Sequence, residues 1–320
     1  MRFELNVTMG KPKFNQKRLE SFLRKVFPSA EIKSFEKFTT GLVSPTFKVE
    51  IKKPSKLVVV KLGKLKNSNK IHQNNKILNY LNKNEIPAPK VLMDGIFDRK
   101  FITVMEYSPG DVASKIYESG NQNLRRRLLI NAGKNLKKVH ALKIPSFWVH
   151  HHHEIKNQKE WNKWTRLRID KYLSFFKKKL VGDYDFLETE LTEFWDTLKD
   201  YKIDFVPLHW DYHLSNLNAN EGGNITGIFD FDNAMKGHSL ADIGQTYYWI
   251  RFKLNDSRNF KNFLNGYKRH FTKKEMKLIK GYFLLHLLAV SRTIWFKKKR
   301  LNWILDEHKS ILDEFKQGKL

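Results

Sequence analysis

Apolar and polar positions alternate over much of the first hundred residues, as they do in half-buried strands. The segment 47–51 (FKVEI) shows this alternation, and 56–62 (KLVVVKL) is a β-branched run typical of a central strand. Two more strands are predicted over 90–97 and 100–107, joined by a tight turn. One helix is predicted over 69–84, where apolar residues recur at helical spacing before a PAP sequence. With a strand upstream of 47–51, the pattern predicts five strands and one helix.

After residue 110 the apolar period changes to that of helices. The segment LRRRLLINAGKNLKKVHAL has apolar residues on one face, and Ser108-Pro109-Gly110 separates it from the strands. Further helices are predicted over 159–180, 187–201, 257–270 and 274–318. A strand-rich interruption is predicted over 206–232. The pattern therefore predicts a β-rich domain over 1–107 and a helical domain over 108–320.

Composition limits the class of protein. The 320 residues are 41% hydrophobic, which favours a globular chain over a disordered one. The absence of cysteine excludes disulfide scaffolds, thiolate zinc sites and cysteine nucleophiles, and it fits a reducing compartment. The first residues contain no sustained apolar run, and the longest apolar stretch, YFLLHLLAV, is too short to span a bilayer. We expect a cytoplasmic protein without a membrane span.

The formal net charge of +27 is the strongest compositional feature. The basic residues are spread along the chain, and no nucleic-acid recognition motif accompanies them. We interpret them as a solubilising surface, although such a surface could also contact anionic partners. The four histidines at 150–153 are interpreted as a solvated loop, because adjacent loop residues rarely converge on one metal ion.

A dense set of polar residues lies between apolar ones at 208–219 (LHWDYHLSNLNA). His209, Asp211 and Asn216 form an H-x-D-x-x-x-x-N pattern, and an aspartate, Asp230, ends the apolar run GIFD. The sequence GHSLADIG, which contains Asp242, follows. Phosphoryl-transfer enzymes hold magnesium and a nucleophile with this set of groups. The alternative is a polar hairpin whose hydrogen bonds are simply satisfied.

In order and spacing these segments resemble the aminoglycoside phosphotransferase and choline kinase family, over roughly residues 35–300. The resemblance implies an α+β, protein-kinase-like two-lobed fold. Its small antiparallel-sheet N-lobe would bind the nucleotide, and its larger, mainly helical C-lobe would carry the catalytic loop and acceptor site. The implied reaction transfers the γ-phosphoryl group of ATP or GTP to a hydroxyl of a small molecule, with Mg²⁺ as cofactor.

The resemblance also implies roles for residues of the C-lobe. Asp211 matches the catalytic aspartate, which accepts or orients the proton of the attacking hydroxyl. Asn216 and Asp230 match the magnesium ligands, and both supply the oxygen donors that this ion prefers. His209 and Asp242 would support the loop. Asp232 would orient the metal-binding loop or face solvent.

In the N-lobe, Lys61 matches the lysine that holds the α- and β-phosphates. The alternative is a lysine that reaches solvent from the end of a strand. The segment TTGLVSPT resembles the phosphate-covering loop, and Glu106 and Tyr107 match the linker whose backbone contacts adenine. A simple domain linker is the alternative for that dipeptide. The candidate nucleotide-binding residues in the loop are Gly41, Leu42, Ser44 and Thr46.

The chain departs from the family pattern at two positions. The helix after Lys61 has no glutamate to pair with that lysine, and the helical register places Asn74 there instead. An amide can hydrogen-bond an ammonium group, though less strongly than a carboxylate can. Trp210 stands where the family usually has glycine. Two other functions therefore stay open: a non-catalytic nucleotide-binding module, favoured by the missing glutamate, and a protein kinase, disfavoured because no APE segment follows GHSLADIG.

The acceptor is less clearly indicated. Residues 183–204 contain eight acids and two lysines in an otherwise basic chain. Family members build the acceptor site from helices in this part of the chain. Because the acids would attract positive charge, one interpretation is that the acceptor is a cation. The other is an acidic, solvated helix that pairs with neighbouring lysines. Trp161, Trp164 and Tyr172 suggest either an aromatic box for a cation or, at helical spacing, core packing.

Overall fold

The protein divides into two compact units. The computed structural model describes residues 16–38, 44–148, 155–177, 183–268, 270–296 and 302–319. Within these residues, the first unit takes in the chain up to Asn75 together with Lys90–Tyr107. The second takes in Lys76–Pro89 and the chain from Ser108 onward. The segment Lys76–Pro89, which the pattern placed in the first domain, therefore groups with the second unit.

The first unit is built on a five-stranded antiparallel sheet with the order β1-β2-β3-β5-β4. Its strands are β1 (Ile32–Lys37), β2 (Thr46–Ile51), β3 (Lys56–Lys64), β4 (Val91–Phe97) and β5 (Lys100–Glu106). The predicted turn between β4 and β5 is present, and both Asp98 and Arg99 have positive φ. This sheet confirms the small antiparallel sheet that the predicted α+β fold requires in the first part of the chain.

One face of this sheet carries the core of the first unit. A short helix, α1 (Gln16–Leu23), buries Leu19 and Leu23 in the cluster that contains Val60 and Val104. This helix was not predicted, because it has only eight residues and most of them are polar. The core lies between α1 and alternate residues of the strands, which explains their period of two.

Helix α2 (Ser68–Lys83) confirms the helix predicted over 69–84, and it starts in the first unit. A Cβ at Gly63 on β3 would lie 2.1 Å from the side chain of Ile71 on α2. Glycine at this position therefore lets the first turns of α2 pack closely against β3. Lys61, two residues before Gly63 on β3, lies on the same face of the sheet as Gly63.

The second unit is mainly helical. Its helices are α3 (Ala113–Ser119), α4 (Gln122–His140), α5 (Gln158–Phe176), α6 (Tyr184–Lys199), α7 (Ser239–Leu254), α8 (Phe260–Tyr267), α9 (Lys273–Phe296) and α10 (Asn302–Lys316). The single helix predicted over 274–318 is wrong, since α9 and α10 are separate helices. Of the helices that the structure describes, none is long and apolar enough to cross a membrane.

Helix α7 was missed by the apolar pattern because it is buried on nearly all sides. A helix that is buried all round has no polar face and hence no period of 3.6 residues. Its close packing on α9 depends on Gly244, where a Cβ would lie 2.6 Å from the side chain of Tyr282. The second glycine of the GHSLADIG sequence is thus explained by helix packing.

Short strands position the candidate loops in the second unit. They are β6 (Asp111–Val112), β7 (Phe205–Leu208), β8 (Leu217–Ala219), β9 (Ile225–Ile228) and β10 (Met235–His238). β6, β8 and β9 form one sheet, and β7 pairs with β10. The strand-rich interruption predicted over 206–232 is confirmed. The segment 209–216 connects β7 to β8, and Asp230 follows β9.

Candidate functional site

The loop that follows β7 is held by the carboxylate of Asp242. Asp242 lies at the start of α7 and is fully buried. Its Oδ2 accepts a hydrogen bond from the backbone N–H of His209 at 2.8 Å, and its Oδ1 accepts one from that of Trp210 at 2.9 Å. The Nε2 of His140 lies 3.2 Å from Oδ2. A buried carboxylate needs such partners, so the position of the loop is fixed by α7 and α4.

His209 joins this loop to the one after β9. Its ring is fully buried and lies 4.3 Å from the ring of Phe231, centroid to centroid. Its Nε2 lies 2.8 Å from the backbone oxygen of Phe229, to which it donates. Phe229 immediately precedes Asp230, so the histidine fixes one loop relative to the other. The supporting role that the sequence assigns to His209 stays a prediction.

Asp211 lies in the loop with a side chain that is 27% exposed. Burial raises the pKa of its carboxyl group, and the charge of Asp230 adds to the rise while His209 opposes it. A carboxylate with a raised pKa is a better proton acceptor than an exposed one. The backbone hydrogen bond from Phe229 to Asn216 holds the residue before Asp230 against the loop that contains Asp211.

His213 is a neighbour of Asp211 to which the sequence analysis gave no role. Burial lowers the pKa of His213 to about 2, so its imidazole is neutral. Its Nδ1 accepts a hydrogen bond from the N–H of Ser215 at 3.2 Å, which leaves the proton on Nε2. That Nε2 lies 3.5 Å from Oδ1 of Asp211. The only sequence signal for a contact between His213 and Asp211 was the position of the histidine two residues after the aspartate.

Asn216 is oriented from both sides. Its side-chain amide nitrogen donates to the backbone oxygen of Asp211 at 2.9 Å. Its backbone oxygen accepts from the N–H of Phe229 at 3.0 Å. Asp211, Asn216 and Asp230 are therefore brought to one place by the contacts between the two loops. These are the three residues that the sequence assigns to catalysis and metal binding.

Two residues of these loops have left-handed backbone conformations. φ is +62° at Trp210 and +65° at Asp230. Residues with a side chain rarely adopt this conformation, and such strain is concentrated at functional sites. At Trp210 it also explains why glycine suits this position in the family. The ring of Trp210 lies against Trp161 and Trp164, at centroid distances of 6.1 and 5.6 Å.

Asn216 and Asp230 are the candidate ligands for a magnesium ion. The described part of the chain contains no group of three or more His, Cys, Asp or Glu residues that could hold a metal ion. Asn216 and Asp230 can offer two protein oxygens, and Asp230 is exposed, so its carboxylate is accessible. Mg²⁺ commonly takes one or two carboxylates with water and phosphate oxygens as its other ligands. The residues present therefore fit this ion. Asp232 lies in a 3₁₀ turn directly after Asp230.

In the first unit a row of aligned residues crosses the sheet. Thr46 pairs with Lys61, Lys61 with Thr103, and Thr103 with Asp94. Residues that pair across strands point to the same face, so the four side chains face α2. From α2, Asn75 donates to Oδ2 of Asp94 at 2.8 Å and to Oγ1 of Thr103 at 2.9 Å. The helix is thus joined to the row that contains Lys61.

Lys61 has no carboxylate partner among the residues that the structure describes. Asn74, which the sequence places near this lysine, is buried on α2. The hydrogen bonds to the row come from its neighbour Asn75, while a contact between Asn74 and Lys61 stays a prediction. The carboxylate of Asp94 lies two strands away from Lys61, and it also contacts His72 at 2.8 Å.

The other residues predicted to bind the nucleotide lie at the end of β5 and in the segment that leads into β2. Glu106 ends β5 and pairs with Lys56 at 3.0 Å, and the ring of Tyr107 lies 5.1 Å from Nζ of Lys48. The backbone oxygen of Ser44 accepts from Oγ1 of Thr46 at 3.1 Å. Gly41, Leu42 and the histidines at 150–153 lie outside the described residues.

Helix α6 contains most of the acidic segment. Its buried residues are Leu187, Leu191, Phe194 and Leu198, as the helical register predicts. Of its carboxylates, Glu193 pairs with Lys277 and Asp196 with Lys199. Asp183, at its start, pairs with Lys316. These pairs are the arrangement expected of an acidic helix that neutralises neighbouring lysines.

Comparison with known proteins identifies the family. The sequence profile of the phosphotransferase enzyme family (APH) matches residues 34–279. The comparison with curated protein sequences gives no match. Among solved structures, the fold is similar to the GDP complex of wild-type aminoglycoside 2'-phosphotransferase-IIIa, at 13% identity and a TM-score of 0.70, covering 96% of this chain and 100% of that one.

Two further structures show the same fold. A thermostable mutant of aminoglycoside phosphotransferase APH(4)-Ia, in a ternary complex with ADP and hygromycin B, has 13% identity and a TM-score of 0.64, covering 92% of this chain and 98% of that one. Aminoglycoside phosphotransferase APH(3'')-Id from Streptomyces rimosus ATCC10970, in complex with ADP and streptomycin, has 14% identity and a TM-score of 0.52, covering 83% and 98%. The predicted protein-kinase-like fold is confirmed.

The family match spans both the first unit and the loops after β7 and β9. It confirms a nucleotide-dependent phosphotransferase acting on small molecules, and it does not favour a non-catalytic module or a protein kinase. The chain therefore belongs to the phosphotransferase enzyme family.

Proposed function

We propose that the protein transfers the γ-phosphoryl group of a magnesium-bound ATP or GTP to a hydroxyl of a small molecule, with Asp211 as the proton acceptor. The observation that carries this assignment is the connection of Asp211, Asn216 and Asp230 through the two loops. Asn216 bonds to the backbone of Asp211, and the backbone of Phe229 bonds to that of Asn216. Phosphoryl transfer depends on this kind of positioning more than on covalent chemistry.

Asp211 would accept the proton of the acceptor hydroxyl while the oxygen of that hydroxyl forms a bond to the γ-phosphorus. The bond from that phosphorus to the bridging oxygen breaks, and the nucleoside diphosphate leaves. Burial raises the pKa of Asp211, which suits a proton acceptor. The neutral His213, with its proton on Nε2, would orient the carboxylate of Asp211 through its contact with Oδ1.

Asn216 and Asp230 would hold the magnesium ion through their side-chain oxygens. When bound, the ion supplies positive charge that stabilises the phosphate oxygens during transfer. His209 and Asp242 would act through the backbone, and their hydrogen bonds support a role in keeping the two loops in register. Asp232 would orient the turn after Asp230.

Lys61 would bind the α- and β-phosphates without a glutamate partner. Backbone groups at Gly41, Leu42, Ser44 and Thr46 would contact the phosphates, and those at Glu106 and Tyr107 would contact the base. The row across the sheet supports this proposal, because it holds Lys61 beside Thr103, which α2 fixes through Asn75. A cytoplasmic location stays a prediction from the sequence.

Calorimetry with Mg·ATP and Mg·GTP tests the proposal. Asp230→Ala removes one of two protein oxygens proposed for the metal, so nucleotide binding in the presence of magnesium should be lost. Asp200→Ala, which changes an exposed carboxylate at the end of α6, is the matched control and should bind as the wild type does. A wild-type protein that binds neither nucleotide would refute the proposal, as would Asp230→Ala with unchanged affinity.

A further inference from the structure

Near Asp211 lies an arginine, Arg168, whose positive charge has no negatively charged partner among the residues that the structure describes. Arg168 on α5 lies against three aromatic rings, with its guanidinium carbon 4.6 Å from the centroid of Trp164, 5.6 Å from Tyr172 and 5.9 Å from Trp210. Trp210 is the residue directly before Asp211. Trp164 and Tyr172, two of the three residues of the aromatic box suggested by the sequence, therefore already face a cation of the chain itself.

This arginine is held without a carboxylate. Within the described ranges, no Asp or Glu oxygen lies within the 4.0 Å that defines an ion pair with its guanidinium. Its Nε is buried and has no hydrogen-bond partner. Tyr172 lies beside the guanidinium, but a neutral phenol does not compensate the charge. Burial lowers the pKa of Arg168 as a result.

Two more buried nitrogen atoms without partners lie around the same place. They are Nε1 of Trp249 on α7 and Nε2 of His286 on α9. The rings of these two residues lie 5.7 Å apart, and Trp249 lies 5.0 Å from the ring of His213, next to Asp211. Burial lowers the pKa of His286 to about 3, with the charge of Arg168 as the second cause, so these two groups are near each other.

These groups lie on two sides of Asp211, with Arg168 against the ring of Trp210 on one side and Trp249 and His286 beyond His213 on the other. The charge of Arg168 also acts on His286, since it contributes to lowering the pKa of that histidine. A second cation, Lys253, lies 4.7 Å from the ring of Trp249, and the charge of Asp211 partly opposes the lowering of its pKa by burial. Buried donors without partners are rare in folded proteins, and each one calls for an explanation.

We infer that this region binds an oxyanion, a carboxylate or phosphate group, carried by the molecule whose hydroxyl Asp211 activates. The Nε–H of Arg168 lacks an acceptor, and the planar N–H fork of a guanidinium matches the geometry of an oxyanion. The N–H of Trp249 adds a second donor. The inference rests on the proposed function and names the class of acceptor. It differs from the cationic acceptor suggested by the acids of α6, several of which are paired with lysines.

The experiment compares hydroxyl-bearing probes that share a hexose ring and differ in charge. Binding of glucuronate, glucose 6-phosphate, glucose and glucosamine is measured by calorimetry with the wild-type protein. We expect glucuronate, glucose 6-phosphate or both to bind more tightly than glucose and glucosamine, and the two anionic probes distinguish a carboxylate from a phosphate. Equal binding of all four, no binding of any, or a preference for glucosamine would overturn the inference.

Variants of Arg168 test whether this side chain is responsible. Loss of a hydrogen bond to a charged group should weaken binding of the anionic probe about ten- to hundredfold in Arg168→Gln. Arg168→Lys keeps the charge and should restore part of the affinity, which a purely structural role would not explain. Arg166→Gln is the matched control, because Arg166 lies on the same helix but pairs with Asp170. Unchanged anion affinity in Arg168→Gln would assign the arginine to packing alone.

Binding of Mg·ATP and Mg·GTP is measured on the same wild-type preparation. If the protein binds a nucleotide but shows no preference for anionic probes, only this inference fails. If it binds anionic probes but no nucleotide, the proposed function fails and the oxyanion site remains.

Discussion

A single carboxylate, that of Asp242, fixes the backbone that presents the candidate catalytic residue. It accepts hydrogen bonds from the N–H groups of His209 and Trp210 and contacts His140. A carboxylate can accept from all of them at once, whereas an amide must turn its NH₂ group toward one of the donors. The chemical identity of this residue therefore affects both stability and the position of Asp211.

Asp242→Asn should lower the free energy of unfolding by about 3 kcal/mol, because a buried group that loses its partner keeps the cost of its desolvation. Urea unfolding followed by circular dichroism measures the change. The exposed Asp200→Asn serves as the control and should differ from the wild type by less than about 0.5 kcal/mol. Equal stability of Asp242→Asn and the wild type would show that the loop is held by other contacts.

Trp210 illustrates what the sequence could and could not reveal about single residues. Its departure from the family glycine was visible in the sequence. The left-handed backbone that explains the family preference required the structure. The same is true of Arg168, whose proposed role depends on neighbours from other segments, and of His213, whose burial the sequence does not reveal. Spacing along one segment identified Asp211 and Asn216, but no spacing connects Arg168 with Asp211.

At the scale of the elements, amphipathic segments were predicted well and uniformly buried ones were not. Helix α2 has one apolar face and was predicted within a residue of its ends. Helix α7 is buried nearly all round and was missed, although the motif at its start was recognised. The long helix predicted over 274–318 merged α9 with α10, because both have apolar faces and no proline or glycine lies between 282 and 317.

Helix α10 is attached to α7 by an ion pair whose energy depends on pH. Arg251 of α7 is buried, and Glu314 accepts hydrogen bonds from its Nε, at 2.8 Å, and from a terminal nitrogen. Glu307 accepts from the other terminal nitrogen at 2.9 Å. The hydrogen bonds from Arg251 lower the pKa of Glu314 below its ordinary value.

Glu314→Gln should therefore be less stable than the wild type at neutral pH by about 1–3 kcal/mol. A lowered pKa in the folded state contributes stability above the unfolded-state pKa of about 4.3 and loses it as pH falls through the folded value. The difference between the proteins should stay constant from pH 7 to about 5 and shrink below about 4. Urea titrations across this range measure it. A difference that is independent of pH would mean that the pair is not the cause.

At the scale of the whole molecule, the protein combines a net charge of +27 with several buried neutral histidines. Burial lowers the pKa of His213 to about 2, of His238 to about 3, of His286 to about 3 and of His308 to about 4. In the unfolded chain these imidazoles would titrate near 6.5. As pH falls, the unfolded state therefore binds more protons than the folded state does. Each added proton also increases the repulsion between the positive charges of this basic chain.

The protein should consequently lose stability as pH falls from about 6.5 toward 4, with a slope of about 1.4 kcal/mol per pH unit for each histidine that titrates in this way. Thermal unfolding between pH 8 and 4.5 measures this loss. His308→Gln removes one such group and should reduce the slope, since the glutamine does not titrate. A midpoint that does not change over this range would contradict the burial of neutral histidines.

The central claim is that Asp211 accepts a proton during phosphoryl transfer from a nucleotide to a hydroxyl. The direct measurement is transfer of the labelled γ-phosphoryl group of ATP or GTP to a panel of hydroxyl compounds, with and without magnesium. With the best acceptor, Asp211→Asn should lower turnover by about 10²–10⁴-fold at similar nucleotide affinity, because positioned proton acceptors contribute this much to a rate. Turnover at the wild-type rate in Asp211→Asn would contradict the claim.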